Sequence, residues 1–127
     1  EFDVIQASVT KLADDLNAKG ILALTSSGKS ATKISRYRPK TQILTFTHSE
    51  KVLNPLNIIW GVQPIASIVE ATSSKMITKM LTILDEKDLL DKEGPYIATI
   101  GYPVGVPGST NTIKILTSAE ITYYLNL

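Results

Sequence analysis

Apolar residues recur along this chain in two rhythms, a helical spacing and short unbroken runs, and the two alternate from one end to the other. Ile5, Val9, Leu12, Ala13 and Leu16 form the stripe of an amphipathic helix, with Asp3 in its first turn, Lys19 in its last and Gly20 as its stop. Ile21, Leu22, Ala23 and Leu24 follow as a continuous apolar run, the pattern of a strand buried on both faces. Residues 31–37 make a short helix that must end before Pro39, because the residue preceding a proline is pushed out of the helical region. Residues 42–47 set Ile43, Leu44 and Phe46 among threonines and predict a second strand. Thr47-His48-Ser49-Glu50 then has the spacing of a capping box, opening a helix through about Ile59 that Gly61 stops. Residues 62–65 predict a third strand, placed at a sheet edge by Pro64. From Ser73 or Ser74 onward, Met76, Ile77, Met80, Leu81 and Leu84 give a second strong stripe, with the methionines as core filler. Residues 85–93 are a charged cluster around Leu89 and Leu90, read as a solvated helix end and turn. Residues 96–100 and 112–117 complete the pattern as fourth and fifth strands.

Connection lengths turn this list into a topology. Helices separate the first four strands, so these are parallel and joined by right-handed crossovers. The eleven residues from Gly101 to Asn111 are rich in glycine and proline and carry no helical pattern. A parallel crossover needs about a dozen residues or more, so the fifth strand runs antiparallel at an edge. The predicted fold class is α/β: an open three-layer α/β/α sheet of about five strands in the order 3-2-1-4-5, with a switch point between strands one and four. Ligands of such sheets bind at the carboxyl ends of the strands beside the switch point. The loops after strands one and four would meet there.

The loop after strand one, Thr25-Ser26-Ser27-Gly28-Lys29-Ser30, has the chemistry of a phosphate cradle. Glycine permits close backbone approach, hydroxyls donate to oxyanions, and the first turn of the next helix offers unpaired N–H groups and a positive dipole end. Lys29 adds a full charge. Gly28-Lys29-Ser30 resembles the tail of the GxxxxGK[ST] nucleotide loop, but that motif's first glycine would fall at Ala23, so a triphosphate cannot be wrapped in the usual way and a monophosphate-sized site is expected. The same residues also fit a simple strand-to-helix turn with Ser27 as N-cap. Arg36 and Arg38 are read as charges complementing a helix end. His48, the one histidine, is read as a loop residue, since no signature supplies a nucleophile or carboxylate partner for it.

Composition narrows the function classes. The 127 residues suit one domain with a single core, and thirteen basic against twelve acidic residues leave a net charge of +1. That balance gives no reason to expect a nucleic-acid or membrane partner. The absence of cysteine removes disulfides, thiolate nucleophiles and cysteine zinc sites, and fits a cytoplasmic location. No apolar run approaches a bilayer span, and the N-terminus lacks a signal-peptide layout. The sequence begins at Glu1 without an initiator methionine, so a segment of a longer protein is expected.

Five stretches in order carry a resemblance: Leu16-Asn17-Ala18-Lys19, Thr25 to Ala31, Arg38-Pro39-Lys40, Trp60-Gly61-Val62-Gln63-Pro64, and the loop from Gly101 to Thr112. Together they resemble the C-terminal domain of pyruvate kinase, over about residues 3–117, leaving 118–127 as a C-terminal tail. The resemblance implies a regulatory and oligomerising domain with no catalytic site in these 127 residues. Phosphoenolpyruvate, ADP, Mg²⁺ and K⁺ would be bound only by a barrel domain elsewhere in the parent enzyme. It implies an effector, a sugar phosphate or nucleoside monophosphate, whose phosphate is held by Thr25, Ser26, Ser27, Gly28, Lys29 and Ser30. An effector loop would be formed by Gly105, Val106, Pro107, Gly108, Ser109 and Thr110. Bisphosphate-activated members use an aromatic residue and an arginine after the third strand, which residues 66–74 do not supply. Their effector loop can also hold an arginine, while residues 102–110 carry no charge, so both departures speak against a bisphosphate. The resemblance further implies a subunit contact with a second copy through the fifth strand, and the apolar tail either reinforces that contact or folds back over its own sheet. A stand-alone phosphate-binding domain acting as a sensor or small enzyme is the alternative class, which fold alone does not exclude.

Overall fold

A computed structural model describes residues 2–101 and 110–127. Five helices and five strands follow in the order α1 (Phe2–Asp15), β1 (Gly20–Thr25), α2 (Lys29–Arg36), β2 (Ile43–Thr47), α3 (Glu50–Leu53), β3 (Val62–Ser67), α4 (Ser73–Glu86), β4 (Tyr96–Gly101), β5 (Thr110–Leu116) and α5 (Ser118–Leu125), with a 3-10 helix over Asn54–Ile58. The strands form one sheet in the order β3-β2-β1-β4-β5. β1 pairs in parallel with β2 and β4, β2 in parallel with β3, and β4 antiparallel with β5. This is the order and sense expected from the connection lengths.

The unbroken apolar runs have a direct cause in the layering. Every residue of β1 and β2 is buried, because helices cover both faces of the sheet there. Alternate side chains divide the core in two. Leu22, Leu24, Leu44, Phe46, Tyr96 and Ala98 pack against Met76, Met80, Leu81 and Leu84 of α4. On the other face, Ile21, Ala23, Ile43 and Ile97 pack against Val9 and Ala13 of α1 and Ala31 and Ile34 of α2. β3 lies at an edge, and its pairing with β2 shifts register between Thr45 and Phe46, just where Pro64 cannot donate.

Several local expectations are corrected. α1 turns the expected Ile5, Val9, Leu12 and Ala13 toward the core but ends at Asp15, leaving Leu16 exposed beyond it, and it also buries the polar Gln6 and Thr10. Ser49, not Thr47, caps α3 by accepting the Lys51 N–H, and α3 lasts one turn before giving way to the 3-10 helix. Pro55 is the reason, since it has no N–H for the next intrahelical bond. β5 begins at Thr110, two residues earlier than the pattern shows. In the C-terminal tail, Ser118–Leu125 form α5, capped by Thr117; folding back was one of the two arrangements expected, and α5 lies beside α4, where Thr78 Oγ1 donates to the Tyr124 carbonyl at 2.8 Å and Ile121 enters the core.

Tyr96 ties the amino end of β4 to the preceding turn: its phenol oxygen accepts the Asp91 N–H at 2.9 Å in a nearly inaccessible position. Burial pushes the phenol pKa above its ordinary 10.0, against the lowering effect of the Asp91 amide. The unfolded chain therefore ionises first, so the stabilisation is complete below pH 10 and is lost as pH rises toward the folded-state pKa. Tyr96→Phe is expected to cost about 1 kcal/mol at neutral pH and to blunt the alkaline loss of stability, as read from urea unfolding between neutral and strongly alkaline pH.

Candidate functional site

The carboxyl ends of β1 and β4 lie side by side at the switch point. Ala23 pairs with Thr99, and continuing that parallel register sets Thr25 level with Gly101. Gly101 in turn pairs with Thr110, so the β4–β5 connection starts and ends beside the loop that leaves β1. Of the effector-loop residues named above, Gly105, Val106, Pro107, Gly108 and Ser109 lie outside the described residues, and Thr110 opens β5.

Gly28 makes the turn from β1 into α2. It is the helix N-cap, with φ 87° and ψ −9°, a left-handed conformation that β-carbon sterics disfavour. A Cβ there would also lie 2.9 Å from Leu56 Cδ2, since the 3-10 helix packs against the outside of the turn. The hydroxyls then shape the loop from within. Thr25 Oγ1 accepts the Gly28 N–H at 2.9 Å, Ser27 Oγ accepts that of Lys29 at 3.4 Å, and Thr32 Oγ1 donates to the Gly28 carbonyl at 2.9 Å. Ser27 thus supports the first turn from just outside the helix, and the N-cap position itself belongs to Gly28.

What remains open is suited to an anion. The first-turn amides of α2 have no intrahelical acceptor, and those of Ser30 and Ala31 have no hydrogen-bond acceptor among the described residues. Ser27 and Lys29 are exposed, Ser26 is half-buried, and Thr25 and Ser30 are buried beneath them. The six residues therefore split into two tiers. Ser26, Ser27 and Lys29 lie on the accessible side, while Thr25 and Gly28 hold the backbone and Ser30 meets Gln6 of α1, whose Nε2 lies 3.5 Å from Ser30 Oγ.

His48 and Arg38 have structural partners. His48 Nδ1 lies 3.1 Å from the Ile68 carbonyl oxygen, bridging the ends of β2 and β3. Arg38 stacks its guanidinium 4.4 Å from the centre of the Trp60 ring. Asp14 is half-buried and accepts the Lys40 N–H at 3.0 Å. No cluster of three or more His, Cys, Asp or Glu side chains able to hold a metal occurs among the described residues. Sequence reasoning missed Gln6 and Leu56. The one available signal for Gln6 was a long polar side chain set among the apolar positions of α1; Leu56 gave none, because its role depends on where the 3-10 helix lands.

The fold defines a class, an open, mostly parallel α/β domain whose first strand leads through a glycine turn into a helix at the switch point. Within that class the chain belongs to the family described as the pyruvate kinase alpha/beta domain, which matches residues 3–116. Among curated relatives it is similar to pyruvate kinase of Lactobacillus delbrueckii subsp. bulgaricus, 34% identical over 113 residues, and to pyruvate kinase 2 of Synechocystis, 33% identical over 113 residues. Each alignment covers 89% of this chain and 19% of the relative, so the chain spans about a fifth of their length. Among solved structures it is similar to a Cryptosporidium parvum pyruvate kinase, with TM-score 0.76 and 29% identity over 92% of this chain and 22% of that one. The same organism's enzyme in complex with ADP gives TM-score 0.77 and 31% identity over 92% of this chain and 23% of that one. No helix among the described residues is long and apolar enough to cross a membrane.

Proposed function

We propose that this chain is the regulatory and subunit-contact domain of a cytoplasmic pyruvate kinase and that its cradle binds the phosphate of a sugar monophosphate or nucleoside monophosphate. The observation that carries the reading is the first turn of α2. Left-handed Gly28 exposes the helix start, the Ser30 and Ala31 amides are unused, and Lys29 and Ser27 are accessible beside them. Phosphoryl transfer from phosphoenolpyruvate to ADP, with its Mg²⁺ and K⁺, belongs in this reading to a barrel domain of the full enzyme. The domain contributes a binding energy that differs between enzyme states, which is what an effector needs in order to shift them. A second phosphate finds no complement in this reading, since the residues after β3 offer neither aromatic nor arginine.

Calorimetry with AMP, a sugar monophosphate and inorganic phosphate tests the binding. Heat of binding is expected for the purified chain, together with a loss of tenfold or more in the Ser27→Ala plus Ser30→Ala double variant, since hydrogen bonds to charged groups contribute about 1.5–3 kcal/mol each. Absence of heat, or equal heat from the variant, would remove the cradle. Turnover of phosphoenolpyruvate and ADP by the same preparation would remove the non-catalytic assignment.

A further inference from the structure

Gln6 is the anomaly of α1. It is 2% exposed, and only half of its amide is engaged: Nε2 lies 3.5 Å from Ser30 Oγ, while Oε1 has no partner among the described residues. Thr99, fully buried, points by strand alternation with Ile97 into the same layer between sheet and α1, and its hydroxyl oxygen is likewise unpartnered. A buried acceptor without a donor is destabilising, and an apolar side chain of equal length would avoid it. Stability alone therefore does not account for a glutamine at this position.

A serine hydroxyl has one proton and two lone pairs. A neighbour that accepted from Ser30 would consume the proton and leave the cradle facing lone pairs, which repel an oxyanion. A neighbour that donates does the opposite. We propose that Gln6 is a positioning residue of the anion site: by donating Nε2–H to Ser30 Oγ from behind, it leaves the Ser30 O–H to point forward as a donor. The ligand class this selects is a phosphate oxyanion, which turns acceptor oxygens toward the hydroxyl, over neutral or cationic groups that would present an N–H there. The proposal rests on the cradle reading above and adds a polarity to it, fixed from α1.

The test uses inorganic phosphate as probe on the purified chain, on Gln6→Met, on Ser30→Ala and on the double variant, with thermal unfolding of each. Gln6→Met is expected to bind phosphate about fivefold more weakly and Ser30→Ala about tenfold more weakly, with the double variant no weaker than Ser30→Ala, because Gln6 acts only through that hydroxyl. Gln6→Met is also expected to melt at or above the wild-type temperature, having lost an orphaned acceptor. Unchanged phosphate binding in Gln6→Met, additive losses in the double variant, or a Gln6→Met chain that melts lower or fails to fold would each overturn the proposal. In the first two cases the cradle still stands. A folded wild-type chain that binds no phosphate would overturn both.

Discussion

Phe46→Ala is expected to cost about 3–5 kcal/mol of folding stability, the range for truncating a fully buried aromatic residue, and to lower the urea midpoint without changing the slope. Phe46 is inaccessible, lies on a strand with sheet neighbours on both sides, and pairs in register with Leu24 and Ala66. It belongs to the larger core cluster with Met76, Met80 and Leu81 of α4, and strands cannot close readily around a missing ring. Set against a typical total of about 5–15 kcal/mol, that is roughly a fifth or more of what holds the domain together. Gly28→Ala is a useful contrast. Its cost is a left-handed alanine, about 1–2 kcal/mol, and a contact with the movable end of Leu56. A midpoint shift for Phe46→Ala smaller than that of Gly28→Ala would show that the core is less committed to this ring than its burial implies.

The contrast also marks what a sequence can disclose. Strand order was legible because it depends on quantities written along the chain: helix-bearing connections force parallel pairs, and the short glycine- and proline-rich link after β4 forces an antiparallel one. The position of the β1–α2 loop was legible for the same reason, since it follows the strand next to the switch point. Its internal wiring was not. That Ser30 turns under toward α1, and that Gly28 rather than Ser27 is the N-cap, depends on where α1 and the 3-10 helix come to rest. The α1 stripe shows the limit clearly. Hydropathy favoured Leu16 over Gln6, yet α1 ends at Asp15 and leaves Leu16 exposed beyond it, while packing against α2 and the sheet buries Gln6. α5 is a milder case: its residues were plainly too apolar for a free tail, Thr117 caps a helix there by accepting the Glu120 N–H, and its docking beside α4 is what the sequence did not disclose.

Charge placed on β5 is expected to dissociate the subunit contact proposed for this domain. The two edges of the sheet differ in their protection. β3 carries Pro64, which cannot donate to a further strand; each edge strand has one register irregularity with its neighbour, so the proline is the difference. β5 has β4 as its only sheet neighbour, runs for seven residues without a proline, and ends in the apolar sequence Ile113-Lys114-Ile115-Leu116. Lys114 is drawn to α5 by its 2.7 Å ion pair with Glu120, so it does little to guard the free edge. Ile115 is 37% exposed, unusually open for an isoleucine paired directly with a core residue, Ile97. A two-fold axis beside β5 would let the strand pair antiparallel with its own copy and cover that side chain. Ile115→Asp then sets like charges near one another across the axis, at a cost of several kcal/mol, enough to raise the dimer dissociation constant about a hundredfold or more. Val69→Asp, a change of the same kind at a position 77% exposed just beyond β3, is expected to leave assembly unchanged. Sedimentation equilibrium distinguishes the outcomes: a wild-type chain that is monomeric at high micromolar concentration, or an Ile115→Asp chain that dimerises as the wild type does, would place the contact elsewhere than on β5.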